Sequence, residues 1–432
     1  MGAALRRADH DLEAVEQAIR CAVLAAGAEM LGKFMSAVGK AQPKTPVLCP
    51  HCHRRMRGTG PRRRNMVSLL GPTAYTRARY DCPFCQKSVR YPADEALDVV
   101  GTSRSPGLRR QTARLGSKET FQEVAQDLAE LAGVQLSRKD AERIAEAVGH
   151  DIDTWDQRQR ERQRFAPAPA PETPKTMETL YIEMDGTGIP VVPRELEGRK
   201  GKQADGSAKT REAKLGCVFT QTTLDEEGRP VRDPASTTFT GAIEETALFG
   251  WRIYAEALRR GLYGAKRVVV LADAAEWIKK LVELHFPMAI RIIDFYHAKE
   301  HLNHLCQDLF YKPERVAHYR ERWWGLLAQG HIESILAEAG PLLSKDPNGD
   351  RSARRELAYL DGNKEQMRYR AFREQGLFIG SGVIEAGCKN VIGKRLKQSG
   401  MEWTVEGANK IIALRCVTLS GRFNEYWEQR VA

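Results

Sequence analysis

The spacing of apolar and polar residues predicts helices in the first third of the chain. From residue 10 to residue 38, apolar side chains recur every three or four positions, which predicts one long helix that ends before Pro43 and Pro46. Such a helix could serve in dimerisation or simply pack within the protein, and packing is the simpler interpretation. A second helix ends near Gly133 and carries its apolar side chains on one face, at Phe121, Val124, Leu128 and Leu131.

A third helix follows the second after a short turn that contains glycine. Ser137 and Asp140 have the spacing of a helix N-cap, and the apolar positions after them are Ala141, Ile144, Ala145 and Val148. Two helices joined in this way predict a helix-turn-helix, whose second helix would contact DNA. The candidate DNA-binding residues near its start are Arg138, Lys139 and Arg143. Because most helical pairs bind nothing, a purely structural role is the alternative.

Residues 165–178 separate this helical part from a different pattern. The stretch APAPAPETPK within them alternates alanine with proline and predicts a stiff, extended linker. After it, short apolar runs typical of buried strands alternate with helical patterns, which predicts an α/β domain, and residues 296–375 are predicted to be helical. Three of the apolar runs are followed by an aspartate, at Asp185, Asp273 and Asp294. A Gly-Ser-Gly turn later precedes a helix that carries Glu385.

Length and charge narrow the function classes. The chain has 432 residues, which exceeds what one core usually holds and predicts two or three domains. Lys and Arg number 67 against 56 for Asp and Glu, a net charge of +11. This excess favours a polyanionic partner such as nucleic acid, although a soluble protein that happens to be basic is an equal alternative. No apolar run has the roughly 20 residues that a bilayer requires, and the first residues do not form a secretory signal, so we expect a cytoplasmic protein without membrane contact.

Four of the nine cysteines form two close pairs, Cys49 with Cys52 and Cys82 with Cys85. Two such pairs suit tetrahedral Zn²⁺, and the 29 residues between them leave room for a β-hairpin, so we predict a zinc ribbon with structural Zn²⁺. Unligated thiols are the alternative, and a nearby histidine could substitute as a ligand. Arginines between the pairs are candidate phosphate contacts, although such a run is often only solvated. They are Arg54, Arg55, Arg57, Arg62, Arg63 and Arg64.

The aspartates that follow the predicted strands are candidate metal ligands. In α/β sheets the active site lies beyond the carboxyl ends of the strands, so Asp185, Asp273 and Asp294 should meet at one edge. Each could instead cap the next helix, which is the commoner role for any one of them. Phosphodiester cleavage needs an activated nucleophile and relief of phosphate charge, and two Mg²⁺ ions about 4 Å apart supply both. Carboxylate oxygens are the ligands that these ions prefer.

Five segments of the chain together resemble one family of enzymes. They are MDGTGIPVV at 184–192, KTREAKLG at 209–216, LADAAEW at 271–277, DFYHAKEHL at 294–302 and SGVIEAGCKNVIGKRLKQSGMEW at 381–403. In this order they are similar to the ISKra family of bacterial insertion-sequence transposases, which are relatives of the Mutator-like DDE enzymes with an RNase H-like core. The resemblance covers most of residues 179–420 and, less distinctly, the N-terminal third.

The resemblance implies a catalytic triad of Asp185, Asp273 and Glu385, which would hold two Mg²⁺ (or Mn²⁺) ions. It also assigns Asp294 and His297 to an Asp-x-x-His signature, which adds both to the candidate catalytic residues. On the last helix, basic side chains that follow the glutamate are candidates to hold DNA phosphates. They are Lys389, Lys394, Arg395 and Lys397.

His297 also belongs to a second short motif. With Glu300 and His301 it forms the pattern H-x-x-E-H, an inverted zinc-protease motif. Short motifs recur by chance, so a metalloprotease is a minor alternative. A buried histidine near the active site is the simpler interpretation.

The sequence therefore predicts a multidomain α+β protein with separate binding and catalytic parts. The predicted order is an N-terminal helix (1–46), a zinc ribbon (47–92), a helix-turn-helix region (93–164), the linker (165–178), and an RNase H-like α/β core (179–297 and 376–432) that is interrupted by a helical insertion (298–375).

The predicted function is DNA transposition of an insertion sequence. The N-terminal modules would bind double-stranded DNA at the element's terminal inverted repeats, and the core would cleave a strand and join its 3′-OH to target DNA. Pairing of two element ends predicts a homo-oligomer, associated with the bacterial nucleoid when it is bound to DNA. The alternatives are a zinc-ribbon DNA-binding protein without catalysis and a structure-specific nuclease on the same fold, which would cut without joining.

Overall fold

In the computed structural model the chain divides into two compact units. The structure describes residues 11–430 except 42, 44, 166–176, 202, 204, 205 and 345–349. One unit contains the residues up to Gly149 together with those from Asn424 onward, and the other contains His150–Phe423. Helices with an antiparallel sheet in the first unit and a mixed sheet in the second confirm the predicted multidomain α+β class. Most of the predicted linker lies outside the described residues.

The first unit is built on a long helix, α1 (Leu12–Lys40), that lies along a small antiparallel sheet. The strands of this sheet are β1 (Arg57–Ser68), β2 (Gly71–Asp81) and β3 (Val89–Arg90). Helix α1 packs on β2, and glycine permits the close approach, because a Cβ at Gly32 would lie 2.6 Å from the carbonyl oxygen of Ala74. The hairpin of β1 and β2 lies between the two cysteine pairs, where the sequence predicted one.

Among the described residues, α1 is the one helix that is long and apolar enough, by length and composition, to cross a membrane. Charged residues such as Glu16 and Lys33 interrupt its apolar runs, which is why the sequence analysis expected no spanning segment. Length and composition alone do not test that expectation, which stays a prediction. The contact between α1 and β2 is that of a helix in a folded domain.

The helices that complete the first unit follow in order α2 (Pro92–Ala96), α3 (Pro106–Gly116), α4 (Phe121–Ala132) and the start of α5 (Arg138–Arg164). Helix α4 begins at a capping box between Thr120 and Glu123 and ends at Gly133, whose φ of 67° is left-handed. Ser137 caps α5, because its hydroxyl accepts a hydrogen bond from the backbone N–H of Asp140 at 3.0 Å. The end of α4 and the start of α5 agree with the sequence prediction.

One residue of α4 differs from the prediction. Leu131 was expected on the buried face of α4 but is 69% exposed, because the last turn of that helix has left the core. Helix α5 is a single helix of 27 residues that continues through the charged segment to Arg164. Ion pairs one turn apart, such as Asp156 with Arg160, support its charged half.

The second unit is built on a mixed sheet. Its strands are β4 (Met177–Pro190), β5 (Thr210–Leu224), β6 (Pro230–Arg232), β7 (Thr238–Ala242), β8 (Ala265–Ala272) and β9 (Ile290–Ile293). Strand β4 is antiparallel to β5 and parallel to β8, and β9 extends the parallel side. The other edge of β5 pairs with both β6 and β7. Residues 180–184 of β4 are all buried, as expected for a central strand.

One face of this sheet is covered by α6 (Thr246–Arg259) and α7 (Glu276–His285), which bury their apolar side chains against Leu180, Ile182 and Met184 of β4. The described residues after β9 form α8 (Phe295–Leu309), α9 (Pro313–Gln329), α10 (Ile332–Ala339), α11 (Arg351–Gly362) and α12 (Tyr369–Glu374). Trp323 is fully buried among them and donates its indole N–H to Glu338 at 3.0 Å. These helices occupy the stretch that the sequence predicted to be helical.

The opposite face of the sheet is covered by α13 (Gly382–Gly387), a π-helical turn (Cys388–Gly393), α14 (Lys394–Leu396) and α15 (Val405–Leu419). The helix after them, α16 (Phe423–Gln429), belongs almost entirely to the first unit. Helix α13 approaches the sheet closely, because a Cβ at Gly387 would lie 2.9 Å from the ring of Phe239 on β7. This approach brings the helix that carries Glu385 against the central strand β4.

Candidate active site

Asp185 and Asp273 lie at neighbouring positions on two parallel strands. The register of β4 and β8 pairs Met184 with Ala272. Asp185 is the next residue of β4, which continues to Pro190, and Asp273 directly follows the end of β8. Both side chains are half-buried. Asp273 ends its strand in a tight turn, in which its Oδ1 accepts a hydrogen bond from the backbone N–H of Ala275 at 3.0 Å. The structure therefore brings the first two acids of the predicted triad together.

The carboxylate of Asp185 is held by two neighbours. Its Oδ1 accepts a hydrogen bond from the backbone N–H of Gly186 at 2.6 Å, and its Oδ2 accepts one from the thiol of Cys388 at 3.3 Å. Burial raises the pKa of Asp185, these hydrogen bonds oppose the shift, and the charge of Asp273 raises the pKa further. The ionised pair therefore carries an electrostatic cost that a cation between the two carboxylates would offset.

A buried glutamate ties the third predicted acid to the same strand. Glu183 has no exposed surface, and its Oε2 accepts a hydrogen bond from the backbone N–H of Ile384 at 2.8 Å. This bond fixes α13, which carries Glu385, against β4. Burial raises the pKa of Glu183 well above its usual value, and the nearby charges of Asp294 and Glu385 raise it further despite the hydrogen bond.

Glu385 itself is exposed. Among the residues that the structure describes, the one group of three or more Cys, His, Asp or Glu side chains whose ligand atoms all lie within 4.8 Å of one another is the cysteine cluster. The structure thus fixes the helix of Glu385 near Asp185, but it does not gather the carboxylates of Asp185, Asp273 and Glu385 within that distance. Repulsion between three like charges favours a Glu385 side chain that points toward solvent.

Asp294 has a different environment from the other two aspartates. It is 3% exposed, and its two carboxylate oxygens accept backbone N–H groups from His297 and from Ser381, each at 2.6 Å. It therefore caps α8 and ties the start of that helix to the segment that precedes α13. The helix-capping alternative that the sequence left open applies to this aspartate.

His297 and His301 link α8 to the inserted helix α11. Their Nε2 atoms are 3.2 Å apart, and Nδ1 of His301 lies 2.5 Å from Oε2 of the buried Glu356 on α11. The ring of Tyr359 stacks on His301 with 3.7 Å between ring centroids. Burial lowers the pKa of His301, and the contact with Glu356 opposes that shift. In the H-x-x-E-H pattern Glu300 is largely exposed, and it is Glu356 that holds His301.

The helix after Glu385 contains a π-helical turn at Cys388–Gly393. A π turn changes the backbone hydrogen-bond pattern, and such turns often mark functional sites. The side chain of Arg415 on α15 is buried and donates hydrogen bonds to the carbonyl oxygens of Val391 and Asn390 within this turn. Burial lowers the pKa of Arg415 to about 10. Arg415 therefore braces the turn from behind.

The four predicted phosphate-binding residues of this region divide into two kinds. Lys389, Lys394 and Lys397 are exposed, and the ammonium of Lys397 donates to the hydroxyl of Thr187 on β4. Arg395 has no exposed surface, and its guanidinium lies 5.2 Å from the ring centroid of Trp403. The geometry gives Arg395 a packing role, because a fully buried guanidinium cannot reach a phosphate.

The four predicted zinc ligands converge in the first unit. All four Sγ atoms lie within 4.8 Å of one another, and the pairs Cys49–Cys85 and Cys52–Cys82 are each 3.5 Å apart. Tetrahedral Zn²⁺ with Zn–S bonds of about 2.3 Å separates its sulfurs by about 3.8 Å, so the cluster has the size of a zinc site. Burial raises the pKa of Cys49, but hydrogen bonds from the backbone N–H groups of Cys52 and His51 outweigh it and lower the pKa to about 5.

Most of the predicted DNA-binding residues of the first unit are exposed. On and before β1 these are Arg54, Arg55, Arg57, Arg62 and Arg63, and on α5 they are Arg138, Lys139 and Arg143. Arg64 differs, because its guanidinium pairs with the buried Asp94 and also donates to the carbonyl oxygen of Val99 at 3.0 Å. It holds the hairpin in place and would have to break these contacts to reach a phosphate.

Comparisons with known proteins add limited information. A model of an uncharacterised protein family (UPF0236) matches residues 244–430, which is less than half of the chain. The Drosophila P element transposase strand transfer complex is similar, with a TM-score of 0.26 and 10% sequence identity over 76% of this chain and 81% of that chain. A TM-score this low does not establish a shared fold. No match was found among curated proteins. Neither match names the ISKra family, so that resemblance stays a prediction.

Three residues around the aspartates were not among the sequence candidates. Glu183 shares a face of β4 with Asp185, and the two-residue period of a strand is a signal that could have found it. Glu212 on β5 lies against Gly186, where a Cβ would be 2.5 Å from its Oε1. The role of Arg415 has no local signal, because the carbonyl groups that it contacts are 24 and 25 positions earlier in the chain.

Proposed function

We propose that the protein is a DNA transposase that cleaves and joins strands with Asp185, Asp273 and Glu385. The observation that carries this proposal is the register of β4 and β8, which brings the two aspartates to neighbouring positions. The hydrogen bond that Glu183 accepts from the backbone N–H of Ile384 holds the helix of Glu385 against β4, which supports Glu385 as the third acid. The strand order also supports the RNase H-like core that the resemblance to ISKra transposases implies, because antiparallel β5 and β7 lie on one side of β4 and parallel β8 and β9 lie on the other.

Under this proposal the three carboxylates hold two Mg²⁺ or Mn²⁺ ions. The donor set fits these ions, because hard divalent cations prefer carboxylate oxygens. Burial raises the pKa of Asp185, and a bound cation would oppose that shift by favouring the ionised carboxylate. The half-buried position of Asp185 is therefore a second reason to expect a cation at this site. When bound, such ions activate the attacking hydroxyl and stabilise the leaving oxygen.

The residues of the chain itself supply orientation and positive charge. Backbone N–H groups of Gly186 and Ala275 orient the carboxylates of Asp185 and Asp273, so little reorganisation is needed when a substrate binds. Lys397 is held at Thr187, two residues beyond Asp185, where its charge would attract a DNA phosphate. The exposed Lys389 and Lys394 extend this positive charge along the same helix.

The first unit would recognise the DNA. We propose that its four cysteines bind structural Zn²⁺ and that the exposed arginines of the hairpin, with the basic start of α5, bind double-stranded DNA at the terminal inverted repeats. Two DNA ends must be brought together for transposition, which favours a homo-oligomer. The protein would act in the cytoplasm, on the nucleoid.

A strand-transfer assay with labelled element ends tests this function. Asp273→Asn, Asp185→Asn and Glu385→Gln should each lose cutting and joining by at least about 100-fold, because the amide keeps the shape but removes the charge that attracts cations. Binding of the DNA ends should be unchanged. Glu374→Gln, at an exposed position on α12, is the matched control and should keep full activity.

The same assay distinguishes the alternatives. Cutting without joining by the wild-type protein would identify a structure-specific nuclease, and binding with neither reaction would identify a DNA-binding protein. Full activity of Asp273→Asn would exclude the proposed site. Loss of a peptidase activity on replacement of His297 and His301 would instead support the metalloprotease alternative.

A further inference from the structure

The exposed face of α1 carries a regular apolar stripe. Leu12, Ile19, Val23 and Met30 are between 55% and 70% exposed. With Ala26 and Ala37, which are also exposed, and with two charged residues, they recur at alternating intervals of four and three positions from residue 12 to residue 37. This is the 3.5-residue period of a coiled-coil seam.

The fold uses the opposite face of the same helix. The buried residues of α1 all lie in its second half, where the helix packs on β2. They are Ala28, Gly32, Met35 and Gly39. These positions share no member with the stripe, so the contact with β2 leaves the whole seam exposed within the described part of the chain.

Two charges in the stripe indicate what covers it. Glu16 lies near one end of the seam and Lys33 near the other, and both are exposed. Lys33 also pairs with Glu29 of its own helix at 2.6 Å, an exposed contact that contributes little and leaves its ammonium accessible. In a parallel pair of α1 helices each residue would face its own copy, so Glu16 would meet Glu16 and Lys33 would meet Lys33. In an antiparallel pair centred between Val23 and Ala26, each Glu16 meets Lys33 of the other copy.

The apolar positions fit the same antiparallel register. It pairs Ile19 with Met30 of the other copy, Val23 with Ala26 and Leu12 with Ala37. Each alanine then faces a larger side chain, which lets the two helices pack without steric conflict. A lipid surface or an unrelated apolar partner would gain nothing from opposite charges at mirror-related positions of one seam.

We propose that α1 joins two copies of this protein as an antiparallel helix pair. The two seams are the same surface on both chains, so the contact closes on itself and gives a dimer and not an open chain. The seam is about 38 Å long at 1.5 Å per residue. This inference uses only the first unit and does not depend on the proposed catalytic function.

Charge exchange in the full-length protein tests the pairing and its direction. Glu16→Lys and Lys33→Glu should each raise the dimer dissociation constant by about tenfold, because each replaces two attractive pairs with two repulsive ones. The double variant Glu16→Lys/Lys33→Glu restores opposite charges and should return to within about threefold of the wild type. Sedimentation equilibrium over a range of concentrations measures these constants.

Two controls keep the result interpretable. Gln17→Lys adds a positive charge one residue away from the seam and should leave the dissociation constant unchanged. Circular dichroism of every variant reports whether the fold is intact, and recovery in the double variant cannot arise if the single substitutions only unfold the helix. The dimer should also weaken in Val23→Glu, which buries a charge at the centre of the seam.

Three results would overturn the proposal. The first is a wild-type protein that stays monomeric at high concentration. The second is a dimer whose stability is the same in both single variants, as a parallel pair or a different interface would give. The third is a monomer that binds phosphatidylglycerol vesicles and loses that binding in Val23→Glu, which would assign the stripe to a lipid surface.

Discussion

Aspartates in similar sequence contexts have different environments at the end of the second sheet. Asp273 follows β8, is half-buried and accepts a backbone N–H group from its own turn. Asp294 follows β9, is almost fully buried and accepts backbone N–H groups from two separate segments. Hydrogen bonds to a buried carboxylate are worth more than those between neutral groups, so Asp294 stabilises the fold while Asp273 remains available to a ligand.

This difference leads to a prediction about stability. Asp294→Ala should lower the free energy of unfolding by about 2–4 kcal/mol, because it leaves the backbone N–H groups of His297 and Ser381 without their buried acceptors. Asp273→Ala should change it far less. Urea unfolding followed by tryptophan fluorescence measures both variants. Equal stability of the two variants would mean that Asp294 is not the anchor that the geometry indicates.

At the scale of residues, the sequence could predict side chains whose position follows from local pattern. The cysteine pairs belong to this kind, and so do Asp273 and Asp294, which directly follow β8 and β9. Asp185 was expected to follow its strand, but β4 continues through it to Pro190.

Arg64 and Arg395 do not follow from local pattern in this way, because both were predicted to bind DNA from their charge alone. Each guanidinium is buried against a partner elsewhere in the chain, Asp94 for Arg64 and Trp403 for Arg395. The residues next to each arginine in the sequence do not indicate which partner it will contact.

At the scale of elements, the π-helical turn after α13 is the feature most dependent on tertiary support. Arg415→Met should lower the free energy of unfolding by about 2–4 kcal/mol, because the carbonyl groups of Val391 and Asn390 lose a buried charged donor. Strand cleavage should fall with it, since the turn continues the helix that carries Glu385. Thermal unfolding and the strand-transfer assay measure the two effects.

The matched control lies on the same helix. Glu406→Gln removes an exposed carboxylate that pairs with Lys410 one turn away at 2.6 Å, and it should leave both stability and cleavage nearly unchanged. A stable Arg415→Met protein with full cleavage activity would show that the turn does not need its brace. Loss of stability in both variants would point to α15 as a whole and not to the contact with the turn.

The elements themselves were partly predictable for physical reasons. Helix ends at Gly133 and Ser137 follow from capping chemistry that involves neighbouring residues. The buried strands follow from continuous apolar runs. The π turn does not follow from local pattern, because the buried side chain that holds it, Arg415, comes from a helix more than 20 positions later in the chain.

At the scale of the whole molecule, the end of the chain returns to the first unit. Arg430 pairs with Asp98, and Arg110 donates to Asn424 at 3.0 Å. Residues from 424 onward therefore belong with the N-terminal part, although the sequence prediction assigned them to the catalytic core. An ion pair and a hydrogen bond between residues more than 300 positions apart cannot be seen in local periodicity, which is why this return could not be predicted.

The net charge of +11 is a property of the whole molecule. Whether it favours DNA binding depends on which basic side chains are exposed and which are paired with acids. Arg62 and Arg63 are exposed on β1, whereas Arg64 beside them forms an ion pair with the buried Asp94. If the hairpin binds DNA, each exposed arginine that contacts a phosphate releases counterions, and the logarithm of the binding constant falls with the logarithm of salt concentration by about 0.9 per contact.

The double variant Arg62→Gln/Arg63→Gln should therefore bind element ends more weakly and with a salt slope that is smaller by about 1.8. Arg64→Gln is the matched control from the same strand. It should leave the salt slope unchanged and lower the thermal stability instead, because it breaks the contact with Asp94. Fluorescence anisotropy of labelled DNA at a series of salt concentrations gives the slopes. A double variant with the wild-type slope, or an Arg64→Gln protein with a reduced slope and normal stability, would mean that the hairpin does not bind DNA through its exposed arginines.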